Sequence, residues 1–366
     1  MTTRSVTRGT STVAVPVLLL LGAVGLCQPR AVLGQSEEPF LLGPPTGDGP
    51  VEVAVGVFIS DVNEIDLENQ RFEVEGVLTM AWHDPRLAFD PDEVGVTEKI
   101  FQGDYQFSEV ATGWWPQLVV ANESGPYDRQ GQLLRQRFDG AMTYVEEFNA
   151  TVEIPVQLRR FPFDREKFEI VFEVLGFDSD EVTLRADQST TGLAAQGVSI
   201  AEWDVLGLET TAREYDPVYA DVHVETVSSL VAALDLRRRA GFILRVVVFP
   251  MTILVALSWS VFWMDRESLG SRMDISFLGI LTVVAYQLMV SATLPRIPYF
   301  TLLGGFIYAS FLTMCASVLV NLRVGVLDRA GRRADGDALD RTCRWAFPLA
   351  YVSSLALITA YFFVRY

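Results

Sequence analysis

The stretch Asp235–Met264, DLRRRAGFILRVVVFPMTILVALSWSVFWM, divides the chain into two kinds of sequence. Before it, short segments alternate between apolar and polar residues; after it, long apolar runs follow one another. A run of about 20 apolar residues is long enough to cross the hydrocarbon core of a bilayer as an α-helix. Of the 366 residues, 50% are hydrophobic. The sequence therefore predicts a membrane protein rather than an ordinary soluble enzyme.

The C-terminal side of this stretch predicts an all-α transmembrane domain over residues 241–366. Its four spans are expected at about 242–264, 272–294, 300–321 and 343–364, with a cytoplasmic loop at 322–342. The sequence between the third and fourth spans is rich in arginine, at Arg323, Arg329, Arg332, Arg333, Arg341 and Arg344. Because short cytoplasmic loops carry an excess of Lys and Arg, this orientation leaves the N-terminal domain outside.

The N-terminal side predicts strands and a β-sandwich over residues 35–240. Valines alternate in VEVAVGVFI (51–59), and apolar residues share one face of RFEVEGVLTMAW (71–82) and FEIVFEV (168–174). Many short antiparallel strands of period two indicate an immunoglobulin-like sandwich. The segment 35–240 has 15 basic and 39 acidic residues, a net charge of −24. Such a surface excludes nucleic acid as a partner; it either attracts cations or is simply well solvated.

The first 34 residues predict a secretory signal peptide. Arg4 and Arg8 precede the apolar run VAVPVLLLLGAVGLC, and the small residue Gly34 ends the segment. A charged start, a short apolar core and a small residue at the cleavage site are typical of such peptides. The expected location is a multi-pass protein of the cell (inner) membrane with a periplasmic or extracellular N-terminal domain. Residues 35–240 contain no cysteine, so this domain has no disulfide.

A single stripe of the second span combines a carboxylate with leucines. Its members step by four, three, four, three and four residues: Asp274, Leu278, Leu281, Ala285, Leu288 and Ala292. This spacing puts them on one face of a helix. A carboxylate costs about 2.5–3.5 kcal/mol at the bilayer centre on insertion scales, so a face in contact with water is favoured. In the alternative interpretation Asp274 only caps the helix and the leucines pack.

Several motifs occur together in one order along the chain. They are AWHDPRL (81–87), WWPQLVVAN (114–122), RRFPFDREKF (159–168), LGILTVVAY (278–286) and LPRIPYF (294–300). With these motifs the chain resembles the prokaryotic pentameric ligand-gated ion channels of the Cys-loop receptor superfamily, and it is most similar to their amine-gated, cation-conducting bacterial branch. Ile154 and Phe168 stand where animal receptors have the loop cysteines, and Gln117 replaces the usual acid.

The resemblance implies a homopentamer around a pore, in contact with membrane lipids and permeable to monovalent cations. Asp274 occupies the narrow selectivity level and Leu281 the central gate, with Leu278, Ala285, Leu288 and Ala292 along the rest. The helical angle directs Arg272 away from the pore. Gly270 and Ser271 lack the acid that some cation channels have there, and Glu267 is a further cytoplasmic contributor.

The resemblance also implies how the two domains communicate. It predicts a buried charge cluster of Asp66, Asp164 and Arg238, contacted by the loop after the second span. The full set of expected coupling residues is Asp66, Phe161, Pro162, Phe163, Asp164, Arg238, Pro295 and Pro298. Taken alone, Asp164 is equally interpreted as a turn-capping residue.

The ligand site implied by the resemblance is an aromatic box between subunits, where a cationic amine meets rings and a carboxylate. The matching positions are Glu173, Phe177, Tyr215 and Tyr219. Val77 and Leu175 stand where the amine-gated relative has aromatics, so we expect the agonists of that relative not to act on this chain. In the alternative interpretation the two tyrosines are core or interface residues.

Three functions follow from these features. The first is a channel opened by a small, amine-like agonist. The second is a proton-gated channel of the same family, because clustered carboxylates titrate near neutral pH. The third is an exported binding or sensor module on a non-conducting helical anchor. The sequence has no nucleophile–base signature, metal-ligand cluster or phosphate-binding loop, so we expect no enzyme, metal or cofactor.

Overall fold

The computed structural model describes residues 43–366 with short gaps. The gaps are 46, 48, 104–105, 107–110, 112, 195–199, 216–225, 265–268 and 293–295, and the side chains of 269 and 271 are also not described. The predicted signal peptide, Tyr219, Glu267 and Pro295 therefore lie outside the described residues.

The first half of the described chain consists of β-strands joined by tight turns. The strands are β1 (Val51–Asp66), β2 (Arg71–His83), β3 (Glu98–Gln102), β4 (Leu118–Val120), β5 (Glu123–Arg137), β6 (Ala141–Glu153), β7 (Arg165–Val174), β8 (Val182–Ala186), β9 (Gly192–Leu193), β10 (Trp203–Tyr215) and β11 (Val227–Arg238). A short helix α1 (Pro91–Val94) and the 3₁₀ turns Pro85–Leu87 and Leu158–Arg160 connect some of them.

These strands form two sheets. Over the described residues, one sheet has the order β3-β5-β6-β2-β1-β8, with β9 also paired to β1, and the other has the order β10-β11-β7-β4. Most neighbours are antiparallel, but β1 pairs β8 and β9 in parallel. The amide of Asn122 ties the sheets together: it donates to the carbonyls of Glu153 and Glu169 and accepts from the N–H of Val171.

The sandwich core follows the period-two pattern of the sequence. Val53, Val55 and Val57 of β1 are fully buried, as are their counterparts across the core, Phe168 and Ile170. Because side chains alternate between the two faces of a strand, such a pattern buries every second residue. Ile154 and Phe168, where animal receptors have cysteines, both lie in this apolar core. Apolar packing therefore surrounds the two positions that the resemblance matches with the receptor cysteines.

Within the described part of the chain, four helices are long and apolar enough to cross a membrane. They are α2 (Gly241–Trp263), α3 (Leu269–Ser291), α4 (Leu302–Arg329) and α5 (Arg333–Arg365). The sandwich followed by these helices confirms the predicted fold class. The predicted loop 322–342 is different: α4 and α5 continue through it, and only residues 330–332 separate them. The predicted spans were shorter than the helices because α4 and α5 each continue for several polar helical turns beyond their apolar residues.

Contacts at the helix ends give the directions of α3 and α5 relative to the sandwich. The start of α3 lies beside the start of α5, where Arg272 contacts Asp340 at 3.1 Å. The opposite end of α5 reaches the sandwich, where the ring of Phe363 packs on Phe163. The start of α3, with Asp274, is therefore at the end of the helices far from the sandwich.

Candidate functional site

The exposed stripe of α3 is the one that the spacing in the sequence picks out. Asp274, Ala285 and Ala292 are exposed, and Leu278, Leu281 and Leu288 have 66–67% of their surface accessible in the single chain. The opposite face of α3 packs inward, with Ser276 and Val283 fully buried. A helix of 23 residues is about 34 Å long at 1.5 Å per residue. The stripe is therefore long enough to extend through a bilayer.

Arg272 lies on the buried side of α3, although it is only two residues from Asp274. Its side chain is 0% exposed, and its Nη2 donates to Asp340 of α5 at 3.1 Å. Asn321 of α4 adds a contact from its Nδ2 to the hydroxyl of Ser276 at 3.4 Å. Paired in this way behind the helix, the guanidinium of Arg272 lies away from the exposed stripe that carries the carboxylate of Asp274.

A buried ion pair lies where the sandwich meets the helices. Arg238, the last residue of β11, donates from Nε to both oxygens of Asp164 at 3.0 Å, and both side chains are at most 2% exposed. The guanidinium also lies 4.0 Å from the ring centroid of Trp203 and 3.5 Å from Glu202. Because Arg238 is the last strand residue before α2, this pair holds the junction between the two domains.

The Phe-Pro-Phe-Asp turn contacts the helices directly. The ring of Phe161 is buried among apolar residues of α2 and α4, and its carbonyl accepts from the N–H of Leu303 at 3.2 Å. Pro162 is buried beside it, whereas Phe163 is 44% exposed and packs on Phe363 near the end of α5. This turn therefore contacts three of the four apolar helices, α2, α4 and α5.

Asp66 is not part of the buried cluster, contrary to the sequence-based expectation. Its carboxylate accepts from Asn69 and Arg71 within the turn between β1 and β2, at 2.7 and 3.3 Å. The Asn69 hydrogen bonds are the largest cause of a lowered pKa at Asp66. Local donors three and five residues away capture this carboxylate, so it does not reach Arg238 in the chain.

Two residues that the sequence analysis did not select complete the junction. Glu166 is 5% exposed and lies beside Asp164 and Arg238. The hydroxyl of Tyr299, in the segment after α3, accepts from the N–H of Leu158 at 3.2 Å and contacts the carbonyl of Val156 at 3.4 Å. Pro298 next to Tyr299 is exposed. Glu166 could have been found from the alternation of β7, because it falls on the same inward face as Asp164 and Phe168.

The expected ligand residues are only partly brought together. The hydroxyl of Tyr215 donates to the carboxylate of Glu173, which is 5% exposed although the alternation predicts an outward position. Phe177 instead packs edge-on against Trp114 at 5.8 Å between ring centroids. The structure thus pairs a carboxylate with one phenol, and puts Phe177 against the sandwich core. Among the described residues, no cluster of three or more histidine, cysteine or acidic side chains is arranged to hold a metal.

These features define a class of protein: an all-β binding module joined through a buried ion pair to a bundle of membrane-spanning helices. Residues 40–240 match the family described as neurotransmitter-gated ion-channel ligand binding domain. The chain belongs to this family of ligand-gated ion channels in the Cys-loop receptor superfamily, whose members are channels and not enzymes.

Individual relatives cover different shares of the chain. The proton-gated ion channel of Gloeobacter violaceus is 25% identical over 320 residues, which are 87% of this chain and 86% of that protein. The human gamma-aminobutyric acid receptor subunit gamma-3 is 24% identical over 283 residues, 76% of this chain. The beta-like subunit of Drosophila melanogaster is 24% identical over 291 residues. This chain spans 58% and 57% of the lengths of these two animal subunits.

Proposed function

We propose that the chain forms a homopentameric, cation-selective channel in the cell membrane, with the sandwich outside and the start of α3 facing the cytoplasm. The observation that carries this proposal is the exposed stripe of α3, in which Asp274 begins a row of leucines. Five copies around an axis would turn this stripe toward a water column. A ring of carboxylates favours cations, and a leucine constriction gates by dewetting.

The alternative surroundings for this stripe are less favourable. Facing lipid, Asp274 would have a charged side chain in contact with hydrocarbon, whereas the buried Arg272 nearby already has a carboxylate partner. Packed against other helices of its own chain, the leucines would not be two-thirds exposed. A ring of identical subunits accommodates both the charge and the apolar residues, because one side of the stripe then contacts water and the flanks contact neighbours.

Reconstitution of the purified protein into planar bilayers tests the conducting function. We expect discrete currents whose reversal potential, in a potassium chloride gradient, lies near the potassium equilibrium potential. Empty bilayers and protein denatured before reconstitution are the controls. Folded, bilayer-inserted protein that stays silent under amine, amino-acid and pH steps would favour the non-conducting sensor.

For the stimulus, we propose a small cationic amine held by the carboxylate of Glu173 and the ring of Tyr215. A buried carboxylate beside an accessible phenol ring supports an amine, since cations are attracted both to carboxylates and to ring faces. Tyr219 is proposed as a further member on the basis of the sequence resemblance alone.

Changing Tyr215 to phenylalanine tests this site. The ring stays, but the hydroxyl that donates to Glu173 is lost. A hydrogen bond to a charged group is worth about 1.5–3 kcal/mol, so the half-maximal amine concentration is expected to change roughly tenfold or more. Glu214→Gln, which alters an exposed charge at the preceding position of β10, should leave the concentration–response curve unchanged. An unaltered curve for Tyr215→Phe would remove Glu173 and Tyr215 from the site.

Protons are the second candidate stimulus. The relative from Gloeobacter violaceus is named a proton-gated ion channel, and the acidic segment 35–240 has many carboxylates. The specific observation in this chain is Glu166, because burial raises the pKa of its carboxyl to about 7. Steps of external pH without any amine distinguish the two stimuli: current evoked by acid alone supports protons, and current that needs the amine at every pH supports the ligand.

A further inference from the structure

Glu166 lies inside the domain boundary rather than on its surface. It is 5% exposed, and its two carboxylate oxygens accept from the backbone N–H of Gln157 at 3.0 and 3.2 Å. Gln157 directly precedes the 3₁₀ turn Leu158–Arg160, which leads into the Phe-Pro-Phe-Asp turn. The carboxyl of Glu166 therefore holds the backbone of the segment that contacts the helices.

The charges around Glu166 act on its carboxyl in opposite directions. Asp164, two residues earlier on the chain, accepts from the Nε of Arg238 of β11 with both oxygens, and Glu202 also approaches Arg238 at 3.5 Å. From the turn before β7, Arg159 lies over the rings of Tyr299 and Tyr366, and Arg160 lies over the ring of Phe363. Burial is the largest influence and raises the pKa of Glu166 to about 7. The hydrogen bond from Gln157 and the charge of Arg238 oppose this rise, and the charge of Asp164 acts in the same direction as burial.

The backbone that accepts its position from Glu166 also contacts the segment that follows α3. Val156 and Leu158, on either side of Gln157, both contact the hydroxyl of Tyr299. The guanidinium of Arg159 covers the ring of Tyr299 at 4.4 Å from its centroid. Tyr299 lies between α3 and α4, two residues before the Thr301 cap of α4. A continuous set of contacts thus runs from Glu166 through the 156–159 backbone to the segment between α3 and α4.

We propose that Glu166 is a proton-binding site that regulates how firmly the 156–159 backbone holds Tyr299, and that it makes opening of the channel depend on pH. The proposal rests on the proposed channel function and adds a regulatory site to it. A neutral carboxyl accepts the hydrogen bond from Gln157 without placing a second buried negative charge beside Asp164. An ionised carboxyl adds that charge, which favours conformations in which water reaches Glu166.

The direction of the effect follows from linkage. In the conformation described here, Glu166 binds its proton more tightly than a solvated glutamate does, because its pKa is raised. Acidification through neutrality therefore stabilises this conformation, and alkalinisation favours any conformation in which the carboxyl is hydrated. A neutral side chain of the same shape should behave at every pH like the protonated wild type.

Glu166→Gln tests this proposal, with Glu169→Gln on the other face of β7 as the matched control. In wild-type channels we expect the response to a fixed stimulus to change severalfold between pH 6 and pH 8, with a midpoint near pH 7. Glu166→Gln channels at pH 8 should match wild-type channels at pH 6, and Glu169→Gln channels should titrate like the wild type. A pH response that survives in Glu166→Gln overturns the proposal.

A readout that does not need conduction separates this proposal from the channel function. Infrared titration of the purified protein should show a protonated-carboxyl band that is lost near pH 7 and is missing in Glu166→Gln. Glu166→Asp should restore a titrating band with a shifted midpoint. Tyr299→Phe should keep the band but lose the pH dependence of opening, because the hydroxyl contact is gone. If the protonated-carboxyl band is unchanged in Glu166→Gln, Glu166 is not the proton-binding site. If the band depends on Glu166 but the protein conducts no current, only the channel function is overturned.

Discussion

Arg238→Ala is expected to abolish stimulus-evoked current while the subunits still reach the membrane. The substitution removes the guanidinium from between Asp164 and the ring of Trp203 and leaves the buried carboxylate without its cation. Breaking a buried ion pair from one side costs about 3–5 kcal/mol, because the remaining charge is uncompensated. The backbone at the junction between β11 and α2 then lacks its fixed point, so movement of the sandwich is not passed to the helices.

The measurement combines currents with surface labelling and thermal unfolding of the purified protein. Glu202→Gln is the matched control: Glu202 also contacts Arg238, but its side chain is 52% exposed. An exposed ion pair contributes about 0–1 kcal/mol, so Glu202→Gln channels should open nearly as the wild type does. Normal currents in Arg238→Ala channels would contradict a coupling role for the pair.

If Arg238→Ala does not assemble, the double variant Asp164→Asn/Arg238→Gln still tests whether the buried ion pair couples the sandwich to the helices. This variant removes both buried charges together, and replacing both partners costs less than leaving one charge unpaired. We expect it to assemble and to remain poorly coupled. Current at wild-type level from the double variant would mean that shape, and not the ion pair, carries the coupling.

Hydrophobic patterning made most of the fold predictable from the sequence. The valines of β1 and the apolar residues of β7 are buried at the positions that period two selects, and each apolar run after Ala240 became a helix. The patterning did not give the helix ends. Residues 322–329 and 333–342 are polar enough to be interpreted as a loop, yet they continue α4 and α5. Polar residues form helical turns as readily as apolar ones, so the end of an apolar run does not mark the end of a helix.

The candidate site was predictable where a residue's environment follows from its own strand or helix. The exposed stripe of α3 is of this kind. The pairing of Asp164 with Arg238, 74 residues apart in the sequence, was instead expected from the resemblance to a known family. Asp66 was misassigned because the geometry of the turn between β1 and β2 decides which residue pairs with its carboxylate. In the structure the partners are Asn69 and Arg71 and not Arg238. Glu173 alternates outward in the sequence but is buried, since the hydroxyl of Tyr215 from a strand far along the chain covers it.

Asp274→Lys is expected to remove the preference for cations and to make the channel permeable to chloride. In the proposed pentamer, five lysines would replace five carboxylates at the cytoplasmic mouth of the proposed pore, and the sign of the local potential would reverse. Arg272 is buried and paired with Asp340, so it does not already offset the carboxylate on the exposed stripe. Rings of acidic side chains select cations and rings of basic side chains select anions.

The magnitude of this change is measurable as a shift in reversal potential. A tenfold change in relative permeability corresponds to about 1.4 kcal/mol, and surface potentials of several kT inside a low-dielectric mouth exceed that. In a potassium chloride gradient, the reversal potential of Asp274→Lys channels should move from the potassium side toward the chloride side, with Asp274→Asn in between. Asp335→Lys makes the same charge change at the exposed start of α5 and should leave the reversal potential where it is in the wild type. If Asp274→Lys stays as cation-selective as Asp335→Lys, Asp274 does not face the ions, and the stripe of α3 is not the pore.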